Sequence, residues 1–119
     1  MAAAWFNALA DPAKARAVSA GTQPGKRVHP PVVDAMREVG LDLSLVRPRF
    51  LSQDVAEQAN LLVTMGCGES CPYVPRLARL DWELLDPKNQ RVETVRRIRD
   101  DIRERVRALV QARGWERAT

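Results

Sequence analysis

The chain has 119 residues, with 19 Lys+Arg against 15 Asp+Glu and a net charge of +4. That length holds one domain, and 45% apolar with 29% charged residues is an ordinary globular composition. No run of about 18 apolar residues occurs, which excludes a transmembrane helix. The apolar start, Met1 to Ala10, lacks the basic leader and cleavage pattern of a signal peptide. Two cysteines four positions apart, Cys67 and Cys71, do not make a disulfide scaffold. The expected compartment is the cytoplasm, with both thiols reduced at rest.

In chain order, residues 1–10 are alanine-rich, with Trp5, Phe6 and Leu9 at helical spacing. Asp11-Pro12 ends that helix. Ala17-Val18-Ser19-Ala20 is a short strand candidate, closed by the turn Gly21 to Gly25. Pro30-Pro31 open a second helix, with Val32, Val33, Met36 and Val39 as its apolar face and Gly40 at its C′ position. Ser52 is an N-cap for a short helix through Ala59. Leu61 to Met65 is a continuous apolar run, the pattern of a strand buried on both faces in a parallel sheet. Residues 79–85 form a further strand candidate, stopped by Asp86-Pro87. In the last helix Val92, Val95, Ile98, Ile102, Val106 and Leu109 form one stripe. Glu93–Arg97 and Asp101–Arg105 are i,i+4 pairs, and Gly114 ends the helix. This order of helices and strands predicts an α/β fold with a parallel sheet.

In such sheets ligands bind outside the carboxyl ends of the strands. Cys67 and Cys71 follow one such end, beside Gly66 and Gly68. They read as a redox thiol pair, as a soft metal site, or as two thiols without a role. No second Cys/His pair completes a zinc site. Asp86 follows another strand end, as a general acid or as ordinary Asp-Pro turn chemistry. His29, the only histidine, leads into a helix and has no nucleophile at catalytic spacing. Residues 91–113 carry eight arginines against four acids. Interleaved acids and the lack of spaced aromatics favour a solvated, ion-paired helix face over a nucleic-acid surface.

Several segments together resemble one family: Ser19-Ala20-Gly21-Thr22, then Leu62 to Gly68 with Cys71-Pro72, then Asp81-Trp82-Glu83-Leu84 with Asp86-Pro87, and the helix through Ile98-Arg99-Asp100-Asp101-Ile102. They resemble the arsenate reductases of the low-molecular-weight protein tyrosine phosphatase superfamily, most closely the actinobacterial type coupled to a thiol such as mycothiol. The resemblance runs from Met1 to about Trp115. It implies one three-layer α/β domain over residues 1–119, a parallel sheet flanked by helices. It implies a small oxyanion substrate, arsenate or phosphate, and an external thiol reductant of the mycothiol or thioredoxin type. No bound cofactor or metal, no membrane and no nucleic-acid partner are implied. Asp86 matches the family's general acid, and Cys67 and Cys71 lie where the thioredoxin-coupled branch keeps its resolving cysteines.

One part of the family pattern has no counterpart in these residues. The family's nucleophile sits in a Cys-x5-Arg loop between the first strand and first helix, where helix N–H groups hold the oxyanion and lower the thiol pKa. Here Met1 to Phe6 match the interior of that first helix. Neither cysteine has Arg six positions on, since position 73 is Tyr and position 77 is Leu. The expectation is therefore a domain without its first strand and anion loop, roughly 12–15 residues, with no nucleophile of its own and no turnover. Three hypotheses follow: an arsenate reductase whose chain begins further upstream, a non-catalytic binding paralogue, or a phosphatase of the same fold.

Overall fold

A computed structural model of the chain describes residues 1–20, 30–44, 46, 49–65, 74–75, 77–84 and 90–117. Its elements are α1 (Ala2–Leu9), α2 (Pro30–Arg37), α3 (Gln53–Glu57), β1 (Leu61–Thr64), β2 (Ala78–Asp81) and α4 (Val92–Arg113).

The core forms around α4, the one long helix. Val95, Ile98, Ile102, Val106 and Val110 are buried along it, at spacings of a single helical face. Trp5 and Phe6 of α1 and Val32, Ala35 and Met36 of α2 share one buried cluster with that face, and Leu43 belongs to it too. Two members of the predicted stripe differ. Val110 rather than Leu109 completes the buried row, and Val92 stays 44% exposed at the first turn.

Both glycines expected to stop helices do so in the left-handed region, Gly40 at φ +83° and Gly114 at φ +70°. Each closes a paired turn. Gly40 N donates to Arg37 O (3.0 Å) and Leu41 N to Met36 O (3.0 Å). Gly114 N donates to Gln111 O (3.2 Å) and Trp115 N to Val110 O (2.9 Å). These i+3 and i+5 bonds satisfy carbonyls that the helix ends leave free. Ser52 caps α3 as expected, its hydroxyl oxygen accepting from Val55 N at 3.2 Å.

β1 and β2 run parallel, Leu61 against Ala78 through Thr64 against Asp81. The apolar run was expected to be buried on both faces. Instead Leu61, Leu62 and Val63 are half-buried and Thr64 is the buried one. The strand predicted over 79–85 is Ala78–Asp81. Beyond it Trp82 and Leu84 turn onto the core, and Arg105 Nη2 donates to Glu83 O at 3.3 Å.

The strand candidate at Ala17–Ala20 forms no strand. The side-chain amide of Asn7 occupies the backbone groups of Ala17 instead. Its Nδ2 donates to Ala17 O (2.9 Å) and its Oδ1 accepts from Ala17 N (2.9 Å). One amide thus supplies the donor and acceptor that a neighbouring strand would offer.

Candidate functional site at the carboxyl ends of the strands

The parallel register brings the carboxyl ends of β1 and β2 side by side, so the chain leaves both strands at the same end of the sheet. Four residues tie those ends together. Thr64, only 5% exposed, donates its hydroxyl to Asp81 Oδ1. Arg79 Nε donates to the same oxygen at 2.9 Å. Trp82 N donates to Thr64 O at 2.8 Å. A threonine in an otherwise apolar run would bury a hydroxyl at a cost unless it found a partner, and the register partner supplies one. The Thr64 hydroxyl and then the Arg79 guanidinium hold the Asp81 carboxyl below its usual range. Asp81 is therefore a carboxylate at neutral pH.

Cys67 lies three residues beyond Thr64, and Asp86 five residues beyond Asp81. Cys67, Cys71, Asp86 and His29 all fall outside the described residues. For Cys67, Cys71 and Asp86 the structure gives the strand ends that precede them, Thr64 and Asp81. The Thr64–Asp81–Arg79 knot was not expected from the sequence. Its signal was a lone threonine closing an apolar run and an Arg-x-Asp closing the next strand.

A second charged cluster joins α2 to α4. Arg99, 8% exposed, donates from Nη1 to Ala35 O (2.8 Å) and to Glu38 Oε1 (2.8 Å), and from Nε to Asp100 Oδ1 (2.8 Å). Arg96 forks onto both oxygens of Glu38, at 3.0 Å from Nε and 2.7 Å from Nη2. Hydrogen bonds from Arg96 and then Arg99 pull the Glu38 carboxyl down to about 2. Further along α4, Asp101 pairs with Arg105, and Glu104 with Arg103 and Arg107. The predicted Asp101–Arg105 pair forms. The basic residue near Glu93 is Arg96, already committed to Glu38, and no Glu93–Arg97 bridge is present among the described residues. Along α4, Arg96, Arg99, Arg103, Arg105 and Arg107 each pair with an acid, the ion-paired helix face expected from the sequence. Among the described residues no group of three or more His, Cys, Asp or Glu could hold a metal ion.

Helices packed around α4 and a parallel β1–β2 pair, whose strands end ahead of Gly66-Cys67-Gly68 and Asp86-Pro87, make this a small α/β protein. Residues 1–117 match the family described as low molecular weight phosphotyrosine protein phosphatase, and the chain belongs to that family. Relatives that the chain resembles include proteins named as arsenate reductases. A Halobacterium salinarum protein named "Putative arsenate reductase" is 43% identical over 89 residues, 75% of this chain and 63% of that one. The glutaredoxin arsenate reductase of Synechocystis is 33% identical over 71% of this chain and 66% of its own length. Arsenate reductase 1 of Bacillus cereus is 33% identical over 93% of this chain and 84% of its own length. The chain thus spans slightly under two thirds of the first two of these relatives.

Solved structures agree. An arsenate reductase in its oxidised state superposes with a TM-score of 0.81 at 30% identity, covering 93% of this chain and 86% of that one. A thioredoxin-dependent arsenate reductase of Corynebacterium glutamicum superposes at 0.76 and 31% identity, over 93% of this chain and 53% of that one. The three-layer α/β class expected from the sequence is the fold of these neighbours. A protein tyrosine phosphatase at 21% identity and a TM-score of 0.78 shares the fold.

Proposed function

We propose that this protein serves arsenate reduction, with arsenate as oxyanion substrate and an external thiol as electron donor. The observation that carries the reading is the in-register parallel pairing of β1 and β2. It sends the segments holding Cys67 and Asp86 out from the same end of the sheet, where such folds bind ligands. In the balanced reaction arsenate gains two electrons, two thiols lose two electrons and two protons to become a disulfide, and one arsenate oxygen leaves as water. Asp86 is the group that protonates the departing oxygen. Cys67 and Cys71 form a redox pair that passes oxidation on to the external thiol. Thioredoxin dependence in the Corynebacterium relative and the glutaredoxin label of the Synechocystis one support such a donor. Of the two donor types, mycothiol is the one the motif resemblance favours. The site of action is the cytoplasm. No helix among the described residues is long and apolar enough to cross a membrane.

The single domain of residues 1–119 supplies Asp86 and the thiol pair, and no Cys-x5-Arg occurs in it. The proposed reaction needs a nucleophile and anion loop that these 119 residues do not contain. Purified residues 1–119, and the same chain extended at Met1 by a β-strand and Cys-x5-Arg loop, are compared for thiol-dependent arsenite production. The extended chain is expected to make arsenite and the 119-residue chain none. Aryl phosphate hydrolysis by the extended chain, without thiol and without arsenite formation, would place it among the phosphatases instead.

A further inference from the structure

We propose that the outer edge of β1 is an interaction surface whose partner is a second copy of this chain, the two β1 strands pairing antiparallel about a two-fold axis. The hydrogen-bond phase of the sheet defines that edge. Thr64 O accepts from Trp82 N at 2.8 Å, one residue past its register partner Asp81. In a parallel ladder alternate residues bond to the same neighbour, so Leu62 and Thr64 turn their backbone groups to β2. Leu61 and Val63, and Met65 beyond them, turn theirs the other way. No hydrogen bond joins those outward groups to another described residue. Among the described residues β2 is the only strand beside β1.

The two edges of this sheet differ in chemistry. On β2 the residues whose backbone faces outward are Arg79 and Asp81, an exposed ion pair. Charges of this kind keep a strand edge from pairing with another chain. On β1 the corresponding residues are Leu61 and Val63, followed by Met65 at 44% exposure. No charged residue, proline or glycine lies in Leu61–Thr64. Leu61, Leu62 and Val63 stay half-buried and belong to neither buried cluster, so their apolar surface is left over after folding. A two-stranded sheet is marginal by itself. A two-fold axis makes such an edge its own complement, and an uncharged edge meets no like charge on its copy. With the axis at Leu62, Leu61 and the partner's Val63 exchange backbone hydrogen bonds. The two Leu62 side chains then meet at the close, non-hydrogen-bonded position. The product is a sheet in the order β2-β1-β1-β2. A contact of this length buries much less than the ~1,200 Å² of a stable interface, so the dimer is weak and concentration-dependent.

Sedimentation velocity of the 119-residue chain from about 1 µM to about 1 mM, the range of a weak association, tests this. Reducing buffer prevents a disulfide between copies. The weight-average mass is expected to rise from one chain towards two. V63P removes an outward N–H and leaves the β1–β2 bonds, which use Leu62 and Thr64. It is expected to raise the dissociation constant at least about tenfold. Amide hydrogen exchange of Leu61 and Val63 is expected to slow at least about threefold from the dilute to the concentrated sample. That of Leu62 and Thr64 should not change. Circular dichroism checks that V63P is folded, and should it not fold, the exchange measurement carries the comparison. A wild type that stays one chain at the highest concentration overturns the proposal. A doubled mass with unchanged exchange at Leu61 and Val63 also overturns it, as does a folded V63P that associates like the wild type, because the copies then meet elsewhere. A mass growing beyond two chains would show an open assembly in place of the closed pair and overturns it too.

Discussion

At the scale of single residues, the charged side chain that matters most to the described structure is Arg99. An arginine at 8% exposure needs partners for its donors, and it finds Ala35 O, Glu38 and Asp100. Removing it strands a carbonyl at the end of α2, so R99A is expected to cost about 1–3 kcal/mol in urea unfolding at pH 7. R99K should recover only part of this, because an ammonium cannot reproduce the planar fork. Glu38 gives the pH dependence. Its folded pKa of about 2 lies below the usual 4.5, so its contribution to stability is complete above 4.5. It is lost as pH falls through the folded value. The melting temperature of the wild type is expected to exceed that of E38Q at pH 7. The gap should narrow below pH 4.5 and close near pH 2. A constant gap across that range would show that Glu38 does not act through its charge.

At the scale of elements, the helix ends are where the sequence is most directly readable, because their chemistry is local. Gly40 and Gly114 sit at positive φ with open space where a Cβ would stand. Alanine there meets only backbone strain. G40A and G114A are therefore each expected to cost about 1–2 kcal/mol in thermal or urea unfolding, with no change in packing. Ser52 and the stripe of α4 were legible for the same reason, since capping and 3.6-residue periodicity involve neighbours in sequence. Arg99 was not legible. Its burial depends on where α2 ends relative to α4, 64 positions away from Ala35 O, and by composition it belongs to a charged surface. The strand expected at Ala17–Ala20 does not form, because Asn7 satisfies the Ala17 backbone with its side-chain amide. At the candidate site the segments 62–68 and 81–87 begin on β1 and at the end of β2, as their apolar and Asp-Pro patterns suggested. The Thr64–Asp81 bond that joins them required the register, which no local pattern encodes.

At the scale of the whole molecule, the two ends of the chain are fastened together. After Gly114 turns the backbone, Trp115 meets Phe6 edge-to-face at 5.8 Å between ring centres. Asp11 N donates to Trp115 O at 2.7 Å, and Ala10 and Glu116 form an antiparallel bridge. Arg117 donates to Ala8 O and Asn7 O, both at 3.0 Å, a cation on the carbonyl end of α1 where the helix dipole favours one. An eight-residue helix is marginal by itself. The C-terminal hook therefore contributes to holding α1 formed, alongside its packing on α4. A chain ended after Gly114 loses the ring contact, the bridge and both Arg117 bonds while keeping α2 on α4. Amide hydrogen exchange of residues 5–10 is then expected to quicken at least tenfold, and that of residues 98–106 to change far less. R117A alone should quicken exchange in residues 5–10 by a smaller factor, since the ring contact and the bridge remain. Equal acceleration in α1 and α4 would show that the hook supports the molecule as one cooperative unit. Selective acceleration in α1 means that the first helix is secured by the segment that follows α4.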